Sequence, residues 1–459
     1  MKSRLRRTLA ALTVPALLVV AAALMVHAAE PGRDESERDA VPAGSHAFNA
    51  STAIEARPRA QPDGFDEERL WSGYDDWEPF IATDPSSHFV YALTTRLAAP
   101  RPCEICARNA IMFRRSRDGG ATWEADRFLL QTKISQYDPQ IRVARDGTVF
   151  AAFLVEFRPG VTFMRSTDHG TTWSAPISFS GPQHIPHWSD RPALAISASG
   201  RDVYIGFNHS DSWVVASHDG GRTFAAPVKT SNDRRYYFHS AGAVAPDGRV
   251  YFAAQDYSQT YHGQVHIDVI RSSDGGRTWR MARVDTAFAT PRCRSVPGCY
   301  FGFLGPVAGL AVDASGNLLM AYNIGNVAHY PQRLYVRTSR DGATWSPRID
   351  ISGTALGVEN AFPVAAAGPG SGDFRVAWMD TRLGYWDVWY RRLNAGKWGP
   401  PVRLSKGGAG APYVHSAGYD FPYGDYMGLS VDSAGIAHAI WGAGPNYKGP
   451  GGTWFTRGT

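Results

Sequence analysis

Short apolar runs recur along the chain in pairs, and a turn of Gly, Asn or Asp separates the two runs of each pair. Such pairs are typical of β-hairpins. We predict seven hairpins, over Pro79–Thr94, Pro139–Leu154, Pro192–Asn208, Ala241–Gln255, Ala308–Asn323, Pro363–Met379 and Tyr426–Gly442. The pattern therefore predicts an all-β chain in which a hairpin is the repeating unit.

A second repeat follows five of these hairpins and reads Ser-x-Asp-x-Gly-x-Thr-Trp, or a close variant of it. The copies begin at Ser116, Ser166, Ser217, Ser272 and Ser339, which lie 50, 51, 55 and 67 residues apart. Ser and Asp side chains can bind nearby backbone N–H groups, and Gly takes positive φ without steric cost. We therefore predict that each copy is a turn between two strands, with the aromatic ring packed back onto it.

Seven units of this kind predict a β-propeller of seven four-stranded antiparallel blades. The sixth unit replaces the repeat with Leu393–Trp398, and the seventh ends near Arg457, one strand short. A missing strand would leave an open sheet edge. We expect residues 48–57, which include the strand-like run Ser51–Ala56, to pair with the C-terminal strand around Trp454 and close the ring.

The repeated turns resemble the Asp boxes, or bacterial neuraminidase repeats, of sialidase-like β-propellers, over roughly residues 70–459. The resemblance implies six blades as the alternative count. It also implies a tyrosine nucleophile, an Asp acid/base and arginines that bind the sugar carboxylate. The family's Arg-Ile-Pro motif has no counterpart before the first Asp box, where the chain reads Trp77-Glu-Pro-Phe-Ile81. The candidate residues below therefore come from propeller geometry.

Polar and aromatic residues concentrate where the blades should meet the central channel, on the face opposite the Asp boxes. We call this face the rim. The candidate catalytic residues on it are Asp190, Tyr426 and Glu359, and the candidate ligand-binding residues are Arg191, Arg382, Arg158, Arg96, Asp380 and Asp138. Two acid–arginine pairs, Asp190 with Arg191 and Asp380 with Arg382, are expected to lie at the centre of the site. Alternatively, these pairs are inter-blade salt bridges.

Three functions remain open at this point. The first is an exo-α-sialidase-like glycoside hydrolase, and the second is a non-catalytic propeller that binds glycans or proteins at the cell surface. The third is a propeller enzyme of another class, such as a lyase or a metal-assisted hydrolase. We expect a glycan ligand, no cofactor, no bound metal and a monomer.

The N-terminus predicts export. Lys2, Arg4, Arg6 and Arg7 precede an uncharged stretch, and the small residues Ala28 and Ala29 follow it. Residues 1–29 are either a cleaved signal peptide or a membrane anchor. Residues 30–47 are predicted to be a flexible linker, and residues 48–459 the propeller. We expect a secreted, periplasmic or cell-surface protein that contacts membrane only through the N-terminal segment.

Charge and cysteines fit this compartment. Of the net charge of +5, four positive charges lie in residues 1–29, so the remainder is near neutral, and nothing in it favours nucleic-acid binding. The four cysteines, Cys103, Cys106, Cys293 and Cys299, are expected to form two disulfides in an oxidising space. We expect local pairing within each couple. The alternative for Cys103 and Cys106 is a redox or zinc element.

Overall fold

The structure of the protein is a computed structural model. It describes residues 64–74, 76–96, 100–156, 160–179, 190–209, 211–231, 235–258, 264–288, 306–325, 331–384, 386–405, 427–443 and 452–459. These residues form β-strands and turns, arranged as seven small antiparallel sheets. Within these ranges, no helix is long and apolar enough to span a bilayer.

The first three blades each contain four strands that are consecutive in the chain. Blade 1 consists of β2 (Asp76–Thr83), β3 (Val90–Arg96), β4 (Ala110–Ser116) and β5 (Arg127–Phe128). Blade 2 consists of β6 (Gln136–Val143), β7 (Val149–Val155), β8 (Gly160–Ser166) and β9 (Ile177–Phe179). Blade 3 consists of β10 (Asp190–Ile196), β11 (Val203–His209), β12 (Asp211–Ser217) and β13 (Val228–Lys229).

Blades 4 to 6 follow the same order from the inner to the outer strand. Blade 4 consists of β14 (Arg235–Val244), β15 (Val250–Ser258), β16 (Gln264–Ser272) and β17 (Arg280–Phe288). Blade 5 consists of β18 (Ala308–Val312), β19 (Leu318–Ile324), β20 (Arg333–Ser339) and β21 (Ile349–Asp350). Blade 6 consists of β22 (Asn360–Ala367), β23 (Phe374–Asp380), β24 (Asp387–Asn394), β25 (Lys397–Trp398) and β26 (Val402–Arg403), the last also paired with β24.

Blade 7 combines the two ends of the described chain. Its inner strands are β27 (Met427–Val431), β28 (Ala437–Ala443) and β29 (Gly452–Gly458), and its outer strand is β1 (Arg69–Ser72). The predicted count of seven blades is therefore confirmed, and the six-bladed alternative is wrong.

The closing strand is not the one that the sequence predicted. Leu70 lies opposite Trp454, in the position we expected for residues 48–57, which fall outside the described ranges. The reason is that the side chains of β1 pack against blade 1 while its backbone pairs with β29. Trp71 is buried with its ring 5.5 Å from that of Trp123, and the Arg69 guanidinium donates to the carbonyl oxygen of Ala121 at 2.6 Å. Closure by an N-terminal strand is thus confirmed, with β1 as that strand.

The core lies between blades. In six of the seven blades the second strand is buried along its whole length, because both faces of each sheet pack against a neighbouring blade. Between blades 1 and 2, for example, Tyr91 and Leu93 pack with Ile141 and Val149.

The Asp boxes fasten each blade to the one before it. The Trp173 ring meets the Phe113 ring of blade 1 edge-on at 5.5 Å, and Phe224 meets Phe163 of blade 2 at 5.1 Å. The box glycine takes positive φ at the same contact: a Cβ on Gly170 would lie only 2.6 Å from the Phe113 ring. A glycine is therefore required both by the turn and by the ring of the preceding blade.

Candidate functional site

The inner strands of blades 1, 2, 3 and 6 begin with the same distortion. One residue in each blade has left-handed backbone and precedes a proline, and the pairing register slips at that point. These residues are Glu78 (φ 53°), Asp138 (φ 55°), Arg191 (φ 47°) and Phe362 (φ 52°). Such backbone is uncommon for residues other than glycine, and strain of this kind clusters at binding and catalytic sites. All four residues lie on the rim, because each lies near the start of an inner strand whose other end leads to the turn on the Asp-box face.

Glu78 connects the first two blades at the rim. Its Oε2 accepts hydrogen bonds from Thr95 Oγ1 at 2.7 Å and from the backbone N of Asp138 at 2.8 Å. Both acids are buried. Glu78 therefore orients the backbone that carries the candidate ligand residue Asp138, and sequence analysis did not single it out for that role.

The first predicted acid–arginine pair, Asp190 with Arg191, lies buried between blades 3 and 4. Asp190 Oδ1 accepts a hydrogen bond from the backbone N of Arg191 at 2.7 Å. The Arg191 guanidinium lies 5.7 Å from the centre of the Phe238 ring and contacts the Gln255 side-chain oxygen at 3.2 Å. Arg191 thus points toward blade 4, and its adjacent acid orients its backbone.

The second predicted pair is an ion pair on blade 6. Arg382 Nη2 lies 2.6 Å from Asp380 Oδ2, and Asp380 also accepts from Trp378 Nε1 at 2.9 Å. The Arg382 guanidinium stacks 3.7 Å from the centre of the Trp389 ring. Asp380 is fully buried, whereas Arg382 remains 15% exposed. The carboxylate therefore holds a partly exposed guanidinium flat against an indole at the rim.

Glu359 lies at the same corner of blade 6. Its backbone N donates to Thr381 Oγ1 at 3.1 Å, and the next residue, Asn360, lies directly opposite Asp380. Its Oε1 accepts from the backbone N of Gln332 at 3.0 Å, and among the described residues no cation pairs with it. Burial raises the pKa of Glu359 to about 8, so this partly exposed carboxyl is largely protonated at neutral pH.

Arg96 has a different environment from that predicted. Its Nε lies 2.6 Å from Asp76 Oδ1, its Nη1 lies 2.5 Å from Asp126, and its Nη2 contacts Ser72 Oγ at 3.2 Å. Burial opposes the charge, but Asp76 and Asp126 more than offset it and raise the pKa of Arg96. The side chain is wholly buried. Its burial between two acids favours a structural role for Arg96 over the predicted role in ligand binding.

The three described candidate arginines do not share a partner. Arg96 lies in blade 1, Arg191 against Phe238 of blade 4, and Arg382 against Trp389 of blade 6. Arg158 and Tyr426 lie outside the described residues. So do Cys293 and Cys299, whereas the predicted bond between Cys103 and Cys106 is present.

Sequence analysis missed a charged cluster on blade 4. Ligand atoms of Asp256, His266 and Asp268 lie within 4.8 Å of one another. Arg283 Nε lies 2.6 Å from Asp268, and Arg235 Nη2 lies 2.9 Å from Asp256, so two arginines balance the two acids. A metal ion here would have to compete with both arginines. The alternation along Gln264–Ser272 was the available signal, because it places His266 and Asp268 on one face of β16.

Asp boxes on a ring of seven antiparallel blades are the features that this chain shares with sialidase-like Asp-box β-propellers. Residues 72–286 match the family model described as "BNR repeat-like domain", which confirms the resemblance inferred from the repeats.

The chain is also similar to curated enzymes. It is 25% identical over 311 residues to a xyloglucanase of Paenibacillus sp, covering 61% of this chain and 28% of that protein. It is 23% identical over 430 residues to a sialidase of Micromonospora viridifaciens, covering 82% of this chain and 60% of that protein. The chain thus spans less than two thirds of the length of these relatives.

The chain also matches solved structures, at TM-scores below 0.5. The Hadza microbial sialidase Hz136 matches with a TM-score of 0.46 and 16% identity, over 84% of this chain and 66% of that one. A PL25 ulvan lyase matches with a TM-score of 0.44 and 12% identity, over 66% of this chain and 76% of that one.

Proposed function

We propose that this protein binds glycans at the rim of blade 6 and hydrolyses a glycosidic bond there, with Glu359 as the proton donor. One observation carries the proposal: a partly exposed carboxyl without a cation partner lies beside the ion pair of Asp380 and Arg382. Glycosidases need a protonated carboxylic acid next to the departing glycosidic oxygen, and a raised pKa keeps that proton in place at neutral pH.

The surroundings of Glu359 suit a sugar ligand. The guanidinium of Arg382 is partly exposed and can donate to a hydroxyl or a carboxylate, while Asp380 and Trp389 fix its orientation. Leu356 and Leu383, on the same corner, are 71% and 43% exposed. Together they offer an apolar surface beside the polar groups, as the faces of sugar rings require.

The curated relatives support a carbohydrate substrate without identifying it. Their names describe a sialidase and a xyloglucanase. An acidic sugar would use Arg382 as the partner for its carboxylate. A neutral oligosaccharide would use the same guanidinium through hydroxyl groups. A sialidase-type reaction would also need a tyrosine nucleophile, for which Tyr426 is the candidate from the sequence.

Substitution of the proposed proton donor tests the function. The purified propeller should hydrolyse at least one member of a panel that contains a fluorogenic sialoside and xyloglucan oligosaccharides. Glu359→Gln keeps the acceptor for Gln332 but cannot supply a proton, so its kcat should fall about 10²- to 10⁴-fold. Glu104→Gln, an exposed change on a loop at the rim, should retain wild-type kinetics.

Full activity of Glu359→Gln on a substrate that the parent cleaves would overturn the assignment of the proton donor. A panel without turnover, together with saturable binding on a glycan array, would instead favour non-catalytic glycan recognition. That second function has its own support, because Arg96 and Arg382 are both paired with carboxylates of this chain.

We also infer that the protein is exported, on the basis of the basic and apolar composition of residues 1–29. Fractionation of the producing cells, with N-terminal sequencing of the mature chain, tests this. A mature protein that starts near residue 30 outside the cytoplasm is the expected result. A chain that retains Met1 and remains in the membrane fraction would support an anchor, and a cytoplasmic chain would contradict export.

A further inference from the structure

The seven inner strands surround a central channel with a cavity of about 310 Å³. The residues that line it are mainly apolar and include Ile81, Ile196, Val244, Leu310, Val364 and Leu429, from six of the seven blades, while polar atoms supply about half of the exposed lining. Ligand pockets commonly measure about 300–1,000 Å³, so the channel lies at the small end of that range. Its ligand would be a compact molecule.

One charged side chain, Arg142, belongs to the channel wall in the part of the chain that the structure describes. It lies near the end of β6, two residues before the turn that leads to β7, and therefore close to the Asp-box face. The proposed glycan site lies on the opposite face. The two sites are separate, and either can be present without the other.

Arg142 is half-buried and has few contacts. Its Nη1 donates to the carbonyl oxygen of Ile141 at 3.2 Å, and its guanidinium lies 4.9 Å from the centre of the Phe80 ring. No described carboxylate forms an ion pair with it. Burial alone lowers the pKa of Arg142 to about 10. By contrast, Arg96 and Arg382 are neutralised by neighbouring acids.

A partly buried cation without an acidic partner is unfavourable, because it loses hydration without gaining a counter-charge. An anion in the channel would remove that cost and could form paired bonds to the planar guanidinium. The apolar wall would gain from contact with an apolar body of matching size. A cation would be repelled, and a fully hydrated inorganic anion would leave the wall unused.

We propose that the central channel is a binding site for a small organic carboxylate with a compact apolar body, and that Arg142 binds its carboxylate group. The apolar part of the ligand lies along the inner strands. The site is independent of the glycan-binding function proposed for the rim.

Direct binding tests the site, with 4-fluorobenzoate as the probe and ¹⁹F NMR as the readout. Wild-type protein should bind the probe saturably, and its neutral isostere 4-fluorobenzamide should bind at least tenfold more weakly. Arg142→Gln should weaken 4-fluorobenzoate binding at least tenfold, whereas Arg142→Lys, which retains the charge, should keep measurable binding. Arg340→Gln removes an exposed arginine of an Asp box and should bind as wild type.

The same variants separate binding from a structural role. Removal of an unpaired cation should leave the thermal midpoint of the free protein unchanged or raise it. A fall of several degrees in Arg142→Gln would indicate a structural arginine and count against the proposal. Equal affinity for the acid and the amide, unchanged binding by Arg142→Gln, or no saturable binding at all would overturn it. Displacement of the probe by equimolar sulfate would overturn the requirement for an apolar body.

Discussion

The serine of each Asp box closes the turn by one repeated contact. In all five boxes its Oγ accepts a hydrogen bond from a glycine N–H at 2.8–2.9 Å, and it also contacts the box aspartate. The threonine after the glycine then binds the same aspartate, which lowers the pKa of Asp274 in blade 4 to about 2. The box is thus a self-contained hydrogen-bonded unit.

Blade 4 offers a matched pair of serines to test this contact. Ser272 is buried and accepts from Gly276 N at 2.9 Å, whereas the adjacent Ser273 is exposed. Ser272→Ala should lower the free energy of unfolding by about 1–3 kcal/mol, because it leaves a buried N–H unsatisfied. Ser273→Ala should change it by less than about 0.5 kcal/mol. Thermal unfolding measures both, and equal midpoints for the two variants would contradict the role of the serine.

Glu359 should make stability depend on pH in the direction opposite to an ordinary ion-paired acid. Its folded pKa of about 8 lies above that of an unfolded glutamate, near 4.3. The folded state therefore binds the proton more tightly, and stability should fall as the pH rises from about 4.3 to 8. Buried Asp387, with its pKa raised to about 6, acts in the same direction up to that pH.

Glu359→Gln removes this contribution while it keeps the size and the acceptor of the side chain. Thermal midpoints measured between pH 6 and 8 should fall less steeply in the variant than in the wild type. Glu104→Gln is the control and should follow the wild-type curve. Parallel curves for all three proteins would show that Glu359 titrates normally, and would remove one support for it as a proton donor.

At the scale of elements, the closing strand β1 is short but firmly held. Leu70 pairs with Trp454, Trp71 is buried against Trp123, and the Arg69 side chain reaches the first Asp box. Farther back, the backbone of Phe65 bridges to Gly458. The strand therefore connects blade 7 to blade 1 through backbone and side chains together.

Two truncations test closure by β1. A chain that begins at Gly64 keeps the strand and should unfold at the wild-type midpoint. A chain that begins at Tyr74 loses it, exposes the edge of β29 and removes the contact of Trp123 with Trp71. We expect a markedly lower midpoint and a tendency to aggregate for the shorter chain. The same midpoint in both chains would show that β1 is dispensable.

At the scale of the whole molecule, the repeat predicted the blades because each blade is a local structure. Hairpins and Asp boxes depend on residues close in sequence, so their number can be counted from the chain. Closure depends on a partner more than 380 residues away. The run Ser51–Ala56 has the more strand-like composition, but the packing of Trp71 and Arg69 decides which segment closes the ring.

In the candidate site, too, contacts between residues close in sequence were predictable and contacts between blades were not. Asp380 and Arg382 lie two residues apart at the end of one strand, so their pairing follows from local geometry. Whether an arginine is free or neutralised depends on other strands and other blades. That is why the ion pairs of Arg96 with Asp76 and Asp126, and the isolation of Arg142 in the channel, emerged only from the three-dimensional arrangement.

The pairing of β1 with β29 also has a consequence for the order of events during synthesis. A ribosome makes β1 long before β29, so six blades can form while the seventh has only its outer strand. Until β29 emerges, β1 has no strand partner, and the nascent ring is an open crescent. The blade at each end of the crescent exposes the face that would pack against blade 7. The last residues of the chain complete the circle, and premature termination near residue 450 would therefore leave a crescent that cannot close.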